Sequence, residues 1–219
     1  MRPRGWVGAG ASIVCMEPAA ARALVVVDVQ ESFRRRPDWA TVSDPDIAAP
    51  VGALVAASRA AGDLVVWVLH AEPGSGTVFD PANGFVRLIA PLASATGEPV
   101  LTKTSHNAFT TTNLHQLLTR HGVRELLVCG IRTEQCCETT ARVAADLGYD
   151  VTFVVDATAT MPIQRPGAPA GRPVEEILAD PTTLPSAAVI ERTVYALAGR
   201  FARIRTVAEL AAAAEPVAH

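Results

Sequence analysis

In the stretch Leu126-Leu127-Val128-Cys129-Gly130-Ile131-Arg132-Thr133-Glu134-Gln135-Cys136-Cys137, an apolar run breaks at a glycine and leads to two adjacent cysteines. The run reads as a short buried strand, and the cysteines as the opening of a helix over 136–147. A cysteine there faces backbone N–H groups without intrahelical partners and the positive end of the helix dipole. Both favour thiolate, the reactive form of the side chain. The same N–H groups can hold an oxyanion, those of Arg132 and Cys136 being the best placed. The competing reading is a buried pair of small apolar residues, so a nucleophile needs partners. Asp28 closes the apolar run 23–27, and Lys103 closes the run 99–102. A carboxylate can take the proton of a thiol. An ammonium can stabilise the thiolate while keeping the carboxylate ionised.

A parallel sheet would bring these three residues together. Ala23-Leu24-Val25-Val26-Val27 and Leu64-Val65-Val66-Trp67-Val68-Leu69 are continuous apolar runs, as expected of strands buried on both faces. Further strands are expected at 99–102, 126–129, 151–155 and 202–205. Between them lie helical patterns over 45–61, 113–120, 136–147, 174–179, 187–199 and 207–214. Asp44-Pro45 reads as a cap followed by a first-turn proline, and Gly62 as a stop. Strands alternating with helices imply a three-layer α/β/α fold, a doubly wound, mostly parallel six-stranded sheet. In such sheets the ligand site lies at the carboxyl ends of the strands, which is where Asp28, Lys103 and Cys136 fall. Residues 71–98 and a Pro/Gly-rich insertion at about 160–186 read as loops.

Composition narrows the function classes. The 219 residues fit one domain, taken as 21–215, after a flexible tail over 1–20. A net charge of −3 argues against a nucleic-acid surface. The four cysteines show no zinc-finger spacing and no Cys-x-x-Cys, which suits a reducing, cytoplasmic setting. The apolar part of the first residues is broken by Gly8 and Gly10, unlike an export signal. Met16 is a second candidate start. No run reaches the ~20 apolar residues of a membrane span.

The stretches ALVVVDVQESF (23–33), LTKTSHNAFTTTNLHQLL (101–118) and LLVCGIRTEQCCETTARVAADLGYDVTFVVDA (126–157) resemble the isochorismatase-like, or cysteine hydrolase, superfamily. That superfamily includes nicotinamidases and N-carbamoylsarcosine amidohydrolases. The resemblance implies an Asp28-Lys103-Cys136 triad. Its Gly-x-x-Thr-x-x-Cys-x-x-x-Thr-Ala pattern falls on Gly130, Thr133, Cys136, Thr140 and Ala141, which selects Cys136 as the nucleophile. It also implies a cis peptide between Ile131 and Arg132, and a homodimer or homotetramer. Metal-binding nicotinamidases carry an Asp-x-His pair, but the region taken to correspond, Arg34 to Ser43, has no His. The single imidazole of His70 does not hold a transition metal. No metal and no other cofactor is expected. True isochorismatases lack the Cys, so its presence points away from vinyl-ether hydrolysis and towards acyl transfer.

The expected activity is therefore hydrolysis of a C–N bond in a small amide or N-carbamoyl-type substrate through a thioester. Phe33, Trp67, His70 and Phe109 are candidate pocket walls by position. The Arg132 side chain is a candidate to select an anionic group. Other readings are a thiol-based redox sensor using the clustered cysteines, a hydrolase of the same family acting on another small molecule, and an idle scaffold on the same fold.

Overall fold

A computed structural model describes residues 22–169 and 171–214. The expected tail over 1–20, Cys15, Met16 and the last five residues lie outside the described residues. In chain order the elements are β1 (Arg22–Val27), α1 (Glu31–Arg34), α2 (Ala48–Ala60), β2 (Leu64–His70), β3 (Val100–Lys103), α3 (Leu114–Arg120), β4 (Glu125–Ile131), α4 (Glu138–Asp146), β5 (Asp150–Ala159), α5 (Val174–Ala179), α6 (Ser186–Leu197), β6 (Arg203–Arg205) and α7 (Val207–Ala214).

The six strands form one sheet in the order β3-β2-β1-β4-β5-β6, every pair parallel. From β1 the chain winds outward through β2 to β3. It then returns across the sheet to β4 on the other side of β1. The β1/β4 boundary is thus the topological switch point, where open α/β sheets leave a crevice at their carboxyl edge.

The pleat of β1 shows why its run is unbroken. Ala23, Val25 and Val27 face one core with Leu114 and Leu118 of α3, Ala141 and Ala144 of α4 and Leu197 of α6. Leu24 and Val26 face the other core with Val51, Leu54 and Val55 of α2 and, at its margin, Leu210 of α7. Each fully buried Val or Leu contributes about 1.5–3 kcal/mol. This two-sided core, more than any helix propensity, holds the strand ends in place.

Three local expectations are revised. The helix after Asp44-Pro45 begins at Ala48, because Asp44 Oδ1 instead accepts from the Asp46 N–H at 2.9 Å and caps a turn. Strand β5 runs on to Ala159, past the expected end at 155. It does so through a register shift: Val128 pairs with Phe153, but Gly130 pairs with Thr158. The extra residues bend β5 beside the switch point. Third, the helix expected from Cys136 begins earlier, as a wide turn over Thr133–Cys137 that passes into α4 at Glu138.

Candidate active site

Asp28 leaves β1 with φ 54°, a conformation that Asp tolerates better than most residues. It is fully buried, as is Lys103, the last residue of β3. Lys103 Nζ lies 2.7 Å from Asp28 Oδ2 and 3.4 Å from Cys136 Sγ. It also donates to the Ser105 carbonyl at 3.1 Å. The three residues expected to converge are thus in contact. Neither Asp28 oxygen completes a well-aligned hydrogen bond, so the carboxylate retains capacity to accept a proton.

Burial dominates the titration of this group. Desolvation raises the Asp28 carboxyl above its ordinary value, although the Lys103 ammonium pulls it down. Burial, and then the Asp28 charge, push the Cys136 thiol up to about 12, against the opposing pull of Lys103. A helix opening alone suggests a standing thiolate. In the folded protein burial favours the thiol, and the adjacent carboxylate is placed where it could take that proton.

The turn that carries Cys136 is held from several sides. In the turn, Cys137 N–H and Gln135 N–H both donate to the Arg132 carbonyl at 3.2 Å. Thr133 Oγ1 donates to Thr158 Oγ1 at 2.9 Å, so the bend in β5 supports the turn. The buried Glu138 accepts from Arg142 at 2.9 Å and from Thr193 at 2.9 Å, tying the start of α4 to α6. Gly130 has φ 127°, and a Cβ there would lie 1.9 Å from the Val27 carbonyl oxygen. Only glycine lets β4 pass so close to β1 at the point where Asp28 emerges. The Ile131–Arg132 peptide is cis.

The candidate pocket residues separate into two groups. Phe33 packs edge-on against Phe79 at 5.1 Å between centroids, and Phe79 in turn against His70 at 5.6 Å. His70 reaches the Asp28-Lys103-Cys136 cluster, with Nδ1 3.4 Å from Lys103 Nζ. Trp67 does not join them. It is fully buried in the α2-side core, and its indole N–H donates to Glu98 at 2.7 Å. Phe109 is stacked at 6.1 Å on Tyr149, which precedes the amino end of β5, within the core cluster that also holds Cys136. Position in the sequence alone makes Trp67 and Phe109 candidates, and it does not specify which way the pleat or the loop directs a side chain. The Arg132 guanidinium is directed at the Met161 carbonyl, 3.4 Å away, and at Glu134 Oε1, 3.7 Å away.

Phe79 had no sequence signal, since it lies in the Gly/Pro-punctuated loop. Gln30, whose amide clamps the backbone of His70, also passed unnoticed. Cys129 and Cys137 are fully buried and burial raises their thiols as it raises that of Cys136; Cys136 differs in its contact with Lys103 at 3.4 Å. Among the described residues no group of three or more His, Cys, Asp or Glu is placed to hold a metal ion, and no helix is long and apolar enough to cross a membrane.

The fold and site together are a parallel α/β/α sheet with a buried Asp-Lys-Cys cluster at its switch point. Comparison places the chain within a family: the isochorismatase domain matches residues 22–170, and the chain belongs to the isochorismatase family of hydrolases. It is 39% identical over 176 residues to a streptothricin hydrolase of Streptomyces noursei, covering 77% of this chain and 68% of that one. Against a second streptothricin hydrolase of that organism the chain spans about half of the relative's length, 52%. A ureidoacrylate amidohydrolase of an Enterobacter species is 31% identical over 170 residues, covering 62% of this chain and 74% of its own. Among solved structures, a cysteine hydrolase from Pseudomonas syringae pv. phaseolicola matches with a TM-score of 0.74 at 26% identity, over 89% of this chain and 92% of that one.

Proposed function

We propose that the protein is a cysteine hydrolase that cleaves a C–N bond of a small amide or N-carbamoyl-type substrate through a thioester on Cys136. The observation that supports this most directly is the contact of Lys103 Nζ with both Asp28 Oδ2 and Cys136 Sγ, at 2.7 and 3.4 Å, in a buried site. The names of two relatives, a streptothricin hydrolase and a ureidoacrylate amidohydrolase, agree with a hydrolytic site of this kind.

In the proposed cycle Asp28 takes the Cys136 proton as sulfur attacks the substrate carbonyl carbon. The oxyanion is held by the Arg132 and Cys136 backbone N–H groups. As the C–N bond breaks, Asp28 returns the proton to the departing nitrogen, leaving amine and thioester. Water then gives a proton to Asp28 and attacks the thioester carbonyl. The acid is released and the thiol re-forms with that proton. Lys103 keeps its charge throughout and offsets the negative charge that passes between carboxylate and sulfur. Its burial makes that compensation stronger than it would be in water.

The test is a panel of small amides and N-carbamoyl compounds scored for ammonia release, with the trapped acyl-enzyme mapped by mass spectrometry. An adduct on the Cys136 peptide is expected, as is loss of turnover in a folded Cys136→Ser variant. Full turnover in that variant refutes the scheme.

A further inference from the structure

His70 ends β2 and lies in register with Lys103 at the end of β3. Its backbone is fixed: the Gln30 side chain accepts from the His70 N–H at 2.7 Å and donates to the His70 carbonyl at 3.0 Å. The same Gln30 amide donates to Ser32 Oγ at 2.9 Å, so the clamp is itself held. The ring leans on Phe79, and the His70 side chain is only 15% exposed. Its Nδ1 is 3.4 Å from Lys103 Nζ, and its Nε2 is 3.5 Å from Glu72 Oε1.

These contacts define the tautomer. A lysine ammonium has three donors and no lone pair, so Nδ1 facing it must be the bare, accepting nitrogen. The ring proton then sits on Nε2, where the Glu72 carboxylate can receive it. The Lys103 ammonium thus faces four groups: Asp28 Oδ2 at 2.7 Å, the Ser105 carbonyl at 3.1 Å, and Cys136 Sγ and His70 Nδ1, each at 3.4 Å.

We infer that His70 is a positioning residue for Lys103. Held neutral with its lone pair on Nδ1, it completes the ammonium's partners and keeps Lys103 between Asp28 and Cys136. Protonating His70 would set a second cation against Lys103 in a buried site, and one of the two would have to move. Turnover is therefore expected to fall as pH drops through the His70 titration. The role in turnover rests on the hydrolase reading above; the tautomer does not.

Four charged groups bear on this ring from the elements around it. Burial opposes its protonation most, and Lys103 on β3 acts in the same direction. Asp28 beyond β1 and Glu72 in the following loop favour it. Arg36 acts at one remove, through Glu72. The net direction is downward from the ordinary imidazole value.

The experiment has two arms on the full chain. In the first, long-range proton–nitrogen NMR of histidine-labelled protein is followed from pH 5 to 8, with no substrate. His70 is expected as the Nε2–H tautomer, titrating below the free value of about 6.5. Lys103→Met is expected to raise that midpoint, and Glu72→Gln to lower it, each by about half a pH unit or more. An Nδ1–H tautomer, or a midpoint that neither variant moves, overturns the inference.

The second arm takes any compound hydrolysed in the panel above and compares pH–rate profiles. His70→Asn places a non-titrating acceptor near the position of Nδ1. Whatever its plateau rate, it should lose the acid limb assigned to His70 when its profile is read relative to its own plateau. An acid limb unchanged in His70→Asn, with the fold intact by circular dichroism, overturns the positioning role. If no compound is turned over, the hydrolase reading fails, and the NMR arm still decides the tautomer.

Discussion

Two carboxylate–cation pairs in this chain have similar chemistry and opposite electrostatics. Asp28–Lys103 lies wholly inside, and burial raises its carboxyl above the ordinary value despite a cation 2.7 Å away. Glu98–Arg59 lies at the surface beneath α2. There Glu98 accepts from Arg59 at 2.6 Å, from the Trp67 indole at 2.7 Å and from the Ala95 N–H at 2.8 Å. Its carboxyl is lowered to about 2, chiefly by Arg59. The difference is solvation and donor count. Glu98 keeps contact with water and gains three aligned donors, so ionisation is easy. Asp28 gives up its water and has no well-aligned donor, so ionisation is costly. The first arrangement suits a structural tie, the second a group that must accept and return a proton.

The sharpest way to break this comparison is to separate the buried pair. Lys103→Met alone should destabilise the fold by about 3–5 kcal/mol, since it leaves Asp28 buried without its cation. The double variant Asp28→Asn/Lys103→Met should recover most of that loss while remaining inactive. Urea unfolding of the two proteins checks both statements. A single variant as stable as the parent would show that the pair is not desolvated in solution.

A smaller effect is expected at the other pair. Glu98→Gln should cost about 1–3 kcal/mol, because the buried Trp67 indole and the Arg59 guanidinium both lose a charged acceptor. Arg59→Met should cost about 1 kcal/mol or less, as for exposed ion pairs generally. Thermal midpoints of the two variants give the ranking, and a reversal would mean that the Trp67 hydrogen bond contributes little.

The pH dependences of the two pairs should run in opposite directions. The Asp28 carboxyl is raised, so its stabilising contribution is present at low pH and is lost as pH rises through its folded value. The Glu98 carboxyl is lowered, so its contribution is complete above the usual carboxylate range and is lost as pH falls towards about 2. Denaturation between pH 2 and 5 should therefore show a weaker loss of stability on acidification in Glu98→Gln than in the parent.

Much of the site was legible because its parts sit at strand ends. Asp28 and Lys103 each follow an uninterrupted apolar run, and a parallel sheet must present such residues at one edge. Gly130 stands out where the apolar run breaks, and Cys136 is singled out from the adjacent pair by the family pattern that the sequence resembles. What failed had no such rule behind it. Trp67 and Phe109 are large, apolar and near the right edge, yet the pleat sends one to Glu98 and the loop sends the other to Tyr149. Phe79 and Glu72 belong to a connection whose path no periodicity describes. The helix opening favours a thiolate at Cys136, but the depth of the site acts in the opposite direction.

The order of apolar runs and helical patterns, with one acid, one amine and one thiol at the run ends, was determined by sequence alone, because strand burial and winding follow from local pattern. Charge state was not. Whether the thiol rests protonated, which nitrogen of His70 carries its hydrogen and which aromatic rings face the crevice depend on distances between segments far apart in the chain and on how completely water is excluded there. Only the packed structure decides those, because desolvation belongs to the assembled interior and to no single residue in it.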